Sequence, residues 1–327
     1  MTFVYFCRMN EKRQFTIERY APERRTDWDA FVKESRNATF LLKRGYMDYH
    51  ADRFADRSLI IWHGKRIVAL FAACHINDNL VSAHGGLTYG GLLLPYSGID
   101  GADVLSMMAD ILNHYRQSGY KKLRYKTIPH IFHHYPAEED TYAIFRCGGR
   151  LAECNLSSTI LLDGAIEFNE NSRRNMRRAI KSGITTEKSD DYAGYWAILE
   201  ALLAERYETK PVHSLTEINM LAERFPDNIQ LHVARNARGN IIAGTVLFVT
   251  PTCIHTQYIA ASPEGKASGA LNLLFHKLIN ERAGNQRYFD FGTSNEDHGL
   301  RLNEGLLHQK YGMGGRGTAY NIYDIDL

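Results

Sequence analysis

The 327-residue chain has only five cysteines: Cys7, Cys74, Cys147, Cys154 and Cys253. They are odd in number, scattered, and nowhere spaced C-x-x-C. That argues against a disulfide framework or a structural zinc site and fits a reducing compartment. No stretch approaches the ~18 uninterrupted apolar residues of a membrane span. The apolar run in the opening MTFVYFCRMNEKRQ is too short for a signal peptide or an anchor, and Met9 offers an alternative start. A cytoplasmic protein without an integral membrane segment is expected. An excess of one charge is also missing, because 39 Lys and Arg face 37 Asp and Glu and leave a net +2. DNA is therefore not an expected partner, and any anion must be held by a local patch. Nothing in the composition sets an oligomeric state.

What is present is ordinary for a globular protein, with 44% hydrophobic and 23% charged residues. The length suggests roughly two domains of about 150 residues. Strand and helix patterns alternate. FTIERY (15–20) alternates as a strand, and TDWDAFVKESRN follows as a helix with Thr26 as N-cap. SLIIWHGKRIVALFAACH reads as a hairpin, GADVLSMMADILNHYRQSG as an amphipathic helix closed by Gly119, and YKKLRYKT as a strand. In the second part, IQLHVARNARGNIIAGTVLFV is a hairpin turning at 238–240 and CIHTQYIAAS is a strand. GKASGALNLLFHKLINERAG reads as one helix, QRYFDFGT as a strand, LRLNEGLLHQKYG as a helix, and GTAYNIYDIDL as a last strand. The hairpin glycines Gly64 and Gly239 lie 175 positions apart, and YKKLRYKT and QRYFDFGT lie 166 apart. The same element order at a similar offset points to an internal duplication.

The order β–α–α–β–β–β–α–β–α–β is that of the GNAT acyltransferase fold, and two such units in tandem resemble the Fem-type aminoacyl and acyl transferases. Four stretches carry the resemblance: RRNMRRAIKSGI (173–184), NIIAGTVLFV with IHTQYIAAS, FDFGTSNE…LNEGLLHQKYG, and YKTIPHIFHHYPAEEDTYAIF. The coiled-coil arm of some Fem-type members is absent. The resemblance implies an α/β (α+β) protein of two GNAT-like domains, 1–165 and 166–327, each a mixed, mostly antiparallel sheet flanked by helices. It implies transfer of an acyl or aminoacyl group from acyl-CoA or aminoacyl-tRNA to an amine. The acceptor would be a small molecule or a cell-envelope precursor related to peptidoglycan. A non-catalytic binding member of the fold is the alternative.

Several stretches are candidates for that chemistry. In NSRRNMRRAIKSG, Arg173, Arg177 and Lys181 recur at helical spacing, with Arg174 and Arg178 on an overlapping face. Such a stripe suits phosphate through bidentate guanidinium contacts, whether of a pyrophosphate-bearing substrate, coenzyme A or a tRNA stem. The alternative is a solvated basic face. SPEGKASGALNLL enters a helix N-terminus, an anion site by its free N–H groups. Lys266, Gly269 and Ala270 are its cofactor candidates, although Leu271 stands where the GNAT pattern has a small residue. The resemblance further implies that the fourth and fifth strands splay between Gln257–Ala260 and Asp290–Gly292, so that Gln257, Ile259 and Ala260 offer backbone to the donor. Lys310 is the candidate for oxyanion stabilisation. Tyr258 and Tyr311 are candidate proton donors, and Asp290 is a proton acceptor or a fixed anchor. Asn303 is a substrate candidate, and Tyr89, inside HGGLTYGG, a wall of the acceptor groove or part of a structural bulge. His255 also borders the opening but reads more as a packed or half-exposed strand histidine than as a site residue. His130, His133 and His134 lie near Glu138, Glu139 and Asp140; a metal site is conceivable there, but no metal is expected because spacing of this kind is not diagnostic.

Overall fold

The computed structural model describes residues 13–164, 166–281 and 284–327. Cys7, Met9 and Ala165 lie outside them. In the first half the strands are β1 (Thr16–Arg19), β2 (Leu59–His63), β3 (Arg66–Ala72), β4 (Cys74–Asn77), β5 (Leu80–Ser82), β6 (Gly91–Leu93), β7 (Lys122–Lys126) and β8 (Arg150–Leu161). The helices among them are α1 (Arg25–Glu34), α2 (Arg44–Met47), α3 (Gly101–Gln117) and α4 (Glu139–Arg146). The second half opens with α5 (Glu170–Lys181), β9 (Thr185–Ser189), α6 (Tyr192–Tyr207) and α7 (Leu215–Arg224). The strands β10 (Ile229–Arg235), β11 (Ile241–Val249) and β12 (Cys253–Ala261) follow, then α8 (Pro263–Ser268) and α9 (Ala270–Asn280). The chain ends with β13 (Tyr288–Thr293), β14 (Asn295–Glu296), β15 (Arg301–Leu302), α10 (Glu304–Gly312) and β16 (Arg316–Asp326).

The patterns in the sequence explain most of these elements. α3 starts at a capping box, in which Asp100 accepts from the Asp103 amide and Asp103 from the Asp100 amide. Its Val104, Met107, Met108, Ile111 and Tyr115 then recur at helical spacing and are buried. Three expectations need correction. Thr26 is not a cap, because a 3-10 turn over Pro22–Arg24 leads straight into α1 and Arg24 precedes its first residue. The helix after β12 is two helices, broken at Gly269 with φ +81°. The last helix begins at Glu304, because Arg301–Leu302 pairs with Asn295–Glu296 as a short ribbon.

Gly269 illustrates why some positions must be glycine. Its φ is left-handed, and a Cβ there would stand 2.5 Å from the Asn175 carbonyl oxygen of α5. Gly269→Ala is therefore expected to lose about 1–3 kcal/mol in urea unfolding, from backbone strain and the forced separation of α5 from α9.

One sheet of ten strands runs through both halves in the order β4-β5-β7-β16-β8-β13-β12-β11-β10-β9, and a smaller sheet holds β1-β2-β3-β6. The C-terminal strand joins the halves. Residues 322–326 of β16 pair with β7, and Arg316–Asp324 pairs with β8. α6 and α7 pack one face of the second half against α1 and α2, around Trp28, Phe40, Trp196 and Phe248. α9 covers the other face over Phe275, Phe289 and Phe291. Among the described residues no helix is long and apolar enough to cross a membrane.

Candidate active site

The site is a gap in the sheet. β12 and β13 run parallel but pair only over Cys253–His255 and Tyr288–Asp290. Beyond that point both strands bulge. On β12 the pairing with β11 steps from Tyr258 to Thr256, so Gln257 is an extra residue. On β13 the pairing with β8 jumps from Asp290 to Thr293, and Gly292 takes φ +74°. A bulge bends its strand and turns it away from its neighbour, so two bulges side by side part the strands where splaying was expected. The resulting cavity is about 480 Å³. Thr88 of the first half and Leu203 and Arg206 of α6 line it from one face of the sheet, and Leu271, Phe275 and Lys310 from the other. The gap therefore passes through the sheet.

The bulge at Gln257 also sets which side chains meet. His255 lies opposite Asp290 in the parallel register. Asp290 is fully buried. Its Oδ1 accepts from Ser157 Oγ (2.6 Å) and Thr159 Oγ1 (2.7 Å). Its Oδ2 accepts from Tyr320 OH (2.8 Å) and the Gly292 amide (3.3 Å), and lies 2.7 Å from His255 Nδ1. Burial pushes this carboxyl upward, but the bonds from His255, Ser157 and Thr159 outweigh it and hold the pKa below its ordinary value. Asp290 is thus a saturated anchor with no oxygen free for substrate. With Nδ1 engaged, His255 has only Nε2 to offer the cavity that its ring lines.

Lys310 closes the opposite lip. It is 3% exposed, and its Nζ donates to Gly292 O (2.9 Å) and Thr293 O (2.8 Å). Burial brings its pKa down to about 8, with Asp290 opposing that shift. A third N–H remains for the cavity. Gln257 also lines the cavity, with a buried Oε1 that has no partner among the described residues, as do Ile259 and Ala260.

A second groove of about 470 Å³ shares Lys266, Leu271 and Gln309 with the first. It meets the N-terminus of α9, where Gly269 supplies no side-chain cap and Ala270 is buried beside it, outside the groove lining. From α5 it takes Asn171, Ser172 and Asn175. Arg174 and Arg178 share the face of Asn171 and Asn175 and donate to their side-chain oxygens (2.9 and 3.0 Å), whereas Arg177 lies on a different face. Arg177 also pairs with Glu170, as does Arg173. Arg174 and Arg178 thus stand beside the second groove through its lining residues Asn171 and Asn175, while no basic residue of α5 lines the strand gap. A larger cavity of about 600 Å³ between β9, β10 and α9 holds none of the expected residues and lies away from the strand gap.

Other candidates are engaged elsewhere. Tyr258 packs against Trp196, and its hydroxyl lies 2.6 Å from His213 Nδ1, with burial raising its pKa to about 12. It does not line the gap, because its ring turns into the core between the halves. Tyr89 is buried with its hydroxyl on Thr39 Oγ1. Asn303 caps α10 by accepting from the Leu306 amide and gives its Nδ2 to Glu296. Tyr311 lies under the Arg316 guanidinium, outside the cavity lining. His133 and His134 meet the carbonyls of Ile128 and Ala38, and Asp140 accepts from Tyr125. Among the described residues no three metal-ligating side chains converge.

The duplicated position in the first half is filled. β5 and β7 also run parallel for three residues. The HGGLTYGG loop then occupies the space, with Lys126 Nζ donating to Gly85 O and Leu87 O. Its glycines serve close packing, since a Cβ on Gly86 would meet the His50 ring at 2.3 Å and one on Gly90 the Ala83 carbonyl at 2.4 Å. Reading residue by residue missed Thr88, Arg206 and the His255–Asp290 pair. The only signal was His255 lying on the strand beside the expected gap.

Residues 167–298 match the model of the acetyltransferase (GNAT) domain. No curated protein matches the sequence. Among solved structures, FemX superposes with a TM-score of 0.69 at 12% identity over 95% of this chain and 97% of that one. L-PGS from Bacillus licheniformis gives 0.60 at 15% over 94% and 92%. A tandem GNAT protein from the clavulanic acid biosynthesis pathway gives 0.52 at 12% over 96% and 98%. At these identities the likeness is one of fold. The chain has the fold of a tandem GNAT protein and resembles FemX in structure, and its residues 167–298 match the GNAT acetyltransferase domain model.

Proposed function

We propose that the protein is an N-acyltransferase that moves an acyl group from a thioester donor of the acyl-CoA type to an amine. The observation that carries this reading is the gap between two bulged parallel strands, open to both faces of the sheet, with the buried ammonium of Lys310 at its lip. The donor would enter from the α9 side, its phosphates in the groove at Lys266 and the uncapped start of α9, its acyl arm along Gln257–Ala260. The amine would arrive from the side of Thr88 and Arg206. Lys310 would hold the oxyanion that forms as the carbonyl is attacked. By resemblance the acceptor is an amine of a cell-envelope precursor.

A second reading, an aminoacyl-tRNA donor, draws on the exposed Arg174, Arg178 and Lys181 of α5. It would show as transfer from charged tRNA with steep salt dependence of binding. The deciding experiment offers acetyl-CoA and longer acyl-CoAs with an amine panel that includes UDP-linked muropeptides, and follows thiol release and thermal stabilisation. Stabilisation by CoA and amine-dependent thiol release are expected. No response to any donor, tRNA included, sinks the transferase reading. In the same assay Lys310→Met should lower kcat/KM by roughly 100-fold while the melting temperature moves by only a few degrees, because methionine replaces a desolvated cation at similar volume.

A further inference from the structure

We propose that His255, oriented by Asp290, is the general base that deprotonates the attacking amine. This rests on the acyl-transfer reading and goes beyond it by assigning the proton path. Among the described residues that line the gap there is no aspartate or glutamate. The groups able to take a proton there are His255, Tyr320, Lys310 and Lys266, the last exposed in the groove on the donor side. Tyr320 donates to Asp290, and burial raises its pKa, so it holds its proton. Lys310 is committed as a donor to two carbonyls on the donor side. His255 differs in geometry, because Asp290 receives its Nδ1–H and so places the lone pair on Nε2. The carboxylate is itself fixed by Ser157, Thr159 and Tyr320, which come from two strands. Phe132 of the first half stands edge-on to the imidazole at 6.2 Å and limits its rotation.

The side of the sheet also fits. Phe289 and Phe291 point toward α9, so Asp290 between them points toward the first half, and His255 with it. The base therefore lies on the amine's side of the gap and the Lys310 ammonium on the donor's. The step balances as follows. Nε2 takes one proton from the substrate ammonium. The freed lone pair forms the C–N bond at the thioester carbonyl, whose π electrons become the oxyanion near Lys310. Collapse breaks the C–S bond. The second N–H proton passes to the departing thiolate, and His255 returns the first to solvent. Asp290 is a positioning residue.

The test compares wild type, His255→Gln, His255→Ala and Asp290→Asn with acetyl-CoA and an accepted amine. The charged and titratable groups around the imidazole are Asp290 on β13, Tyr320 on β16 and Lys310 on α10, with Arg206 and Lys266 at the ends of the cavity. At pH 7 both His255 variants should lose about 10²–10⁴-fold in kcat/KM, with CoA affinity by calorimetry unchanged. Imidazole should partly rescue His255→Ala. In free wild-type protein at pH 8, ¹⁵N-histidine NMR should show His255 as the Nδ1-protonated tautomer. Active wild type with an undiminished His255→Gln, or a protonated Nε2 at pH 8, overturns this proposal alone. Wild type that transfers no acyl group overturns the acyl-transfer reading as well.

Discussion

Replacing Asp290 by alanine is expected to destabilise the protein by about 3–5 kcal/mol, a drop on the order of 10 °C in Tm. The carboxylate is fully buried and receives the side-chain bonds of Ser157, Thr159, His255 and Tyr320. Alanine leaves all four without their acceptor, and an unmet buried donor costs about 1–3 kcal/mol. Asp290→Asn should cost far less, because its Oδ1 still accepts from Ser157 and Thr159. Its amide, however, faces Nδ1 of His255 with a donor, which drives the ring proton to Nε2. Equilibrium unfolding beside activity separates the two roles: alanine loses fold and activity together, whereas asparagine loses mainly activity. Equal stability of all three proteins would mean that Asp290 is not the anchor described.

Acidification is the second large effect. Burial is the first cause that lowers His84 to about 3 and His133, His213 and His232 to about 4. The unfolded chain binds these protons near pH 6.5 and the folded chain does not. Stability therefore falls as pH drops through that window, by on the order of 3 kcal/mol for each group. Asp140 acts in the opposite sense, since burial raises it to about 6 and it is protonated in the fold first. One such group cannot offset four, and net stabilities of about 5–15 kcal/mol are consumed before pH 4. Circular dichroism against pH should show cooperative unfolding between pH 6.5 and 4. The double variant His84→Asn/His213→Asn should show a shallower dependence, with fewer protons taken up. Asparagine suits His84, whose φ is +48°. A slope identical to wild type would refute the assignment.

How much of this was legible in the sequence varies with the range of the interaction involved. Alternating strands such as Lys122–Lys126, the helix begun at Asp100, and the hairpin turn at 238–240 are properties of a few consecutive residues, and the structure has them there. The opening beside Asp290 was also foreseen, though through family likeness. Asn303 misled because an asparagine that caps a helix and one that binds a substrate look the same in a string of letters. The Gly269 break lay hidden because glycine inside a helical pattern is tolerated until something packs against it, here the Asn175 carbonyl.

By itself, then, the sequence determined the order of elements and the tandem plan, since these follow from local periodicity and turn chemistry. Only the tertiary structure decided which residues share the gap. A single inserted residue in a strand sends every later side chain to the other face, and the bulge at Gln257 that turns Tyr258 into the core appears only in the pairing with β11. The same pairing across strands brings His255 to Asp290, 35 positions away, and closes that acid with Ser157 and Thr159 from β8 and Tyr320 from β16. No local rule links those residues. They meet because the buried carboxylate must find its donors in whichever strands the sheet places beside it.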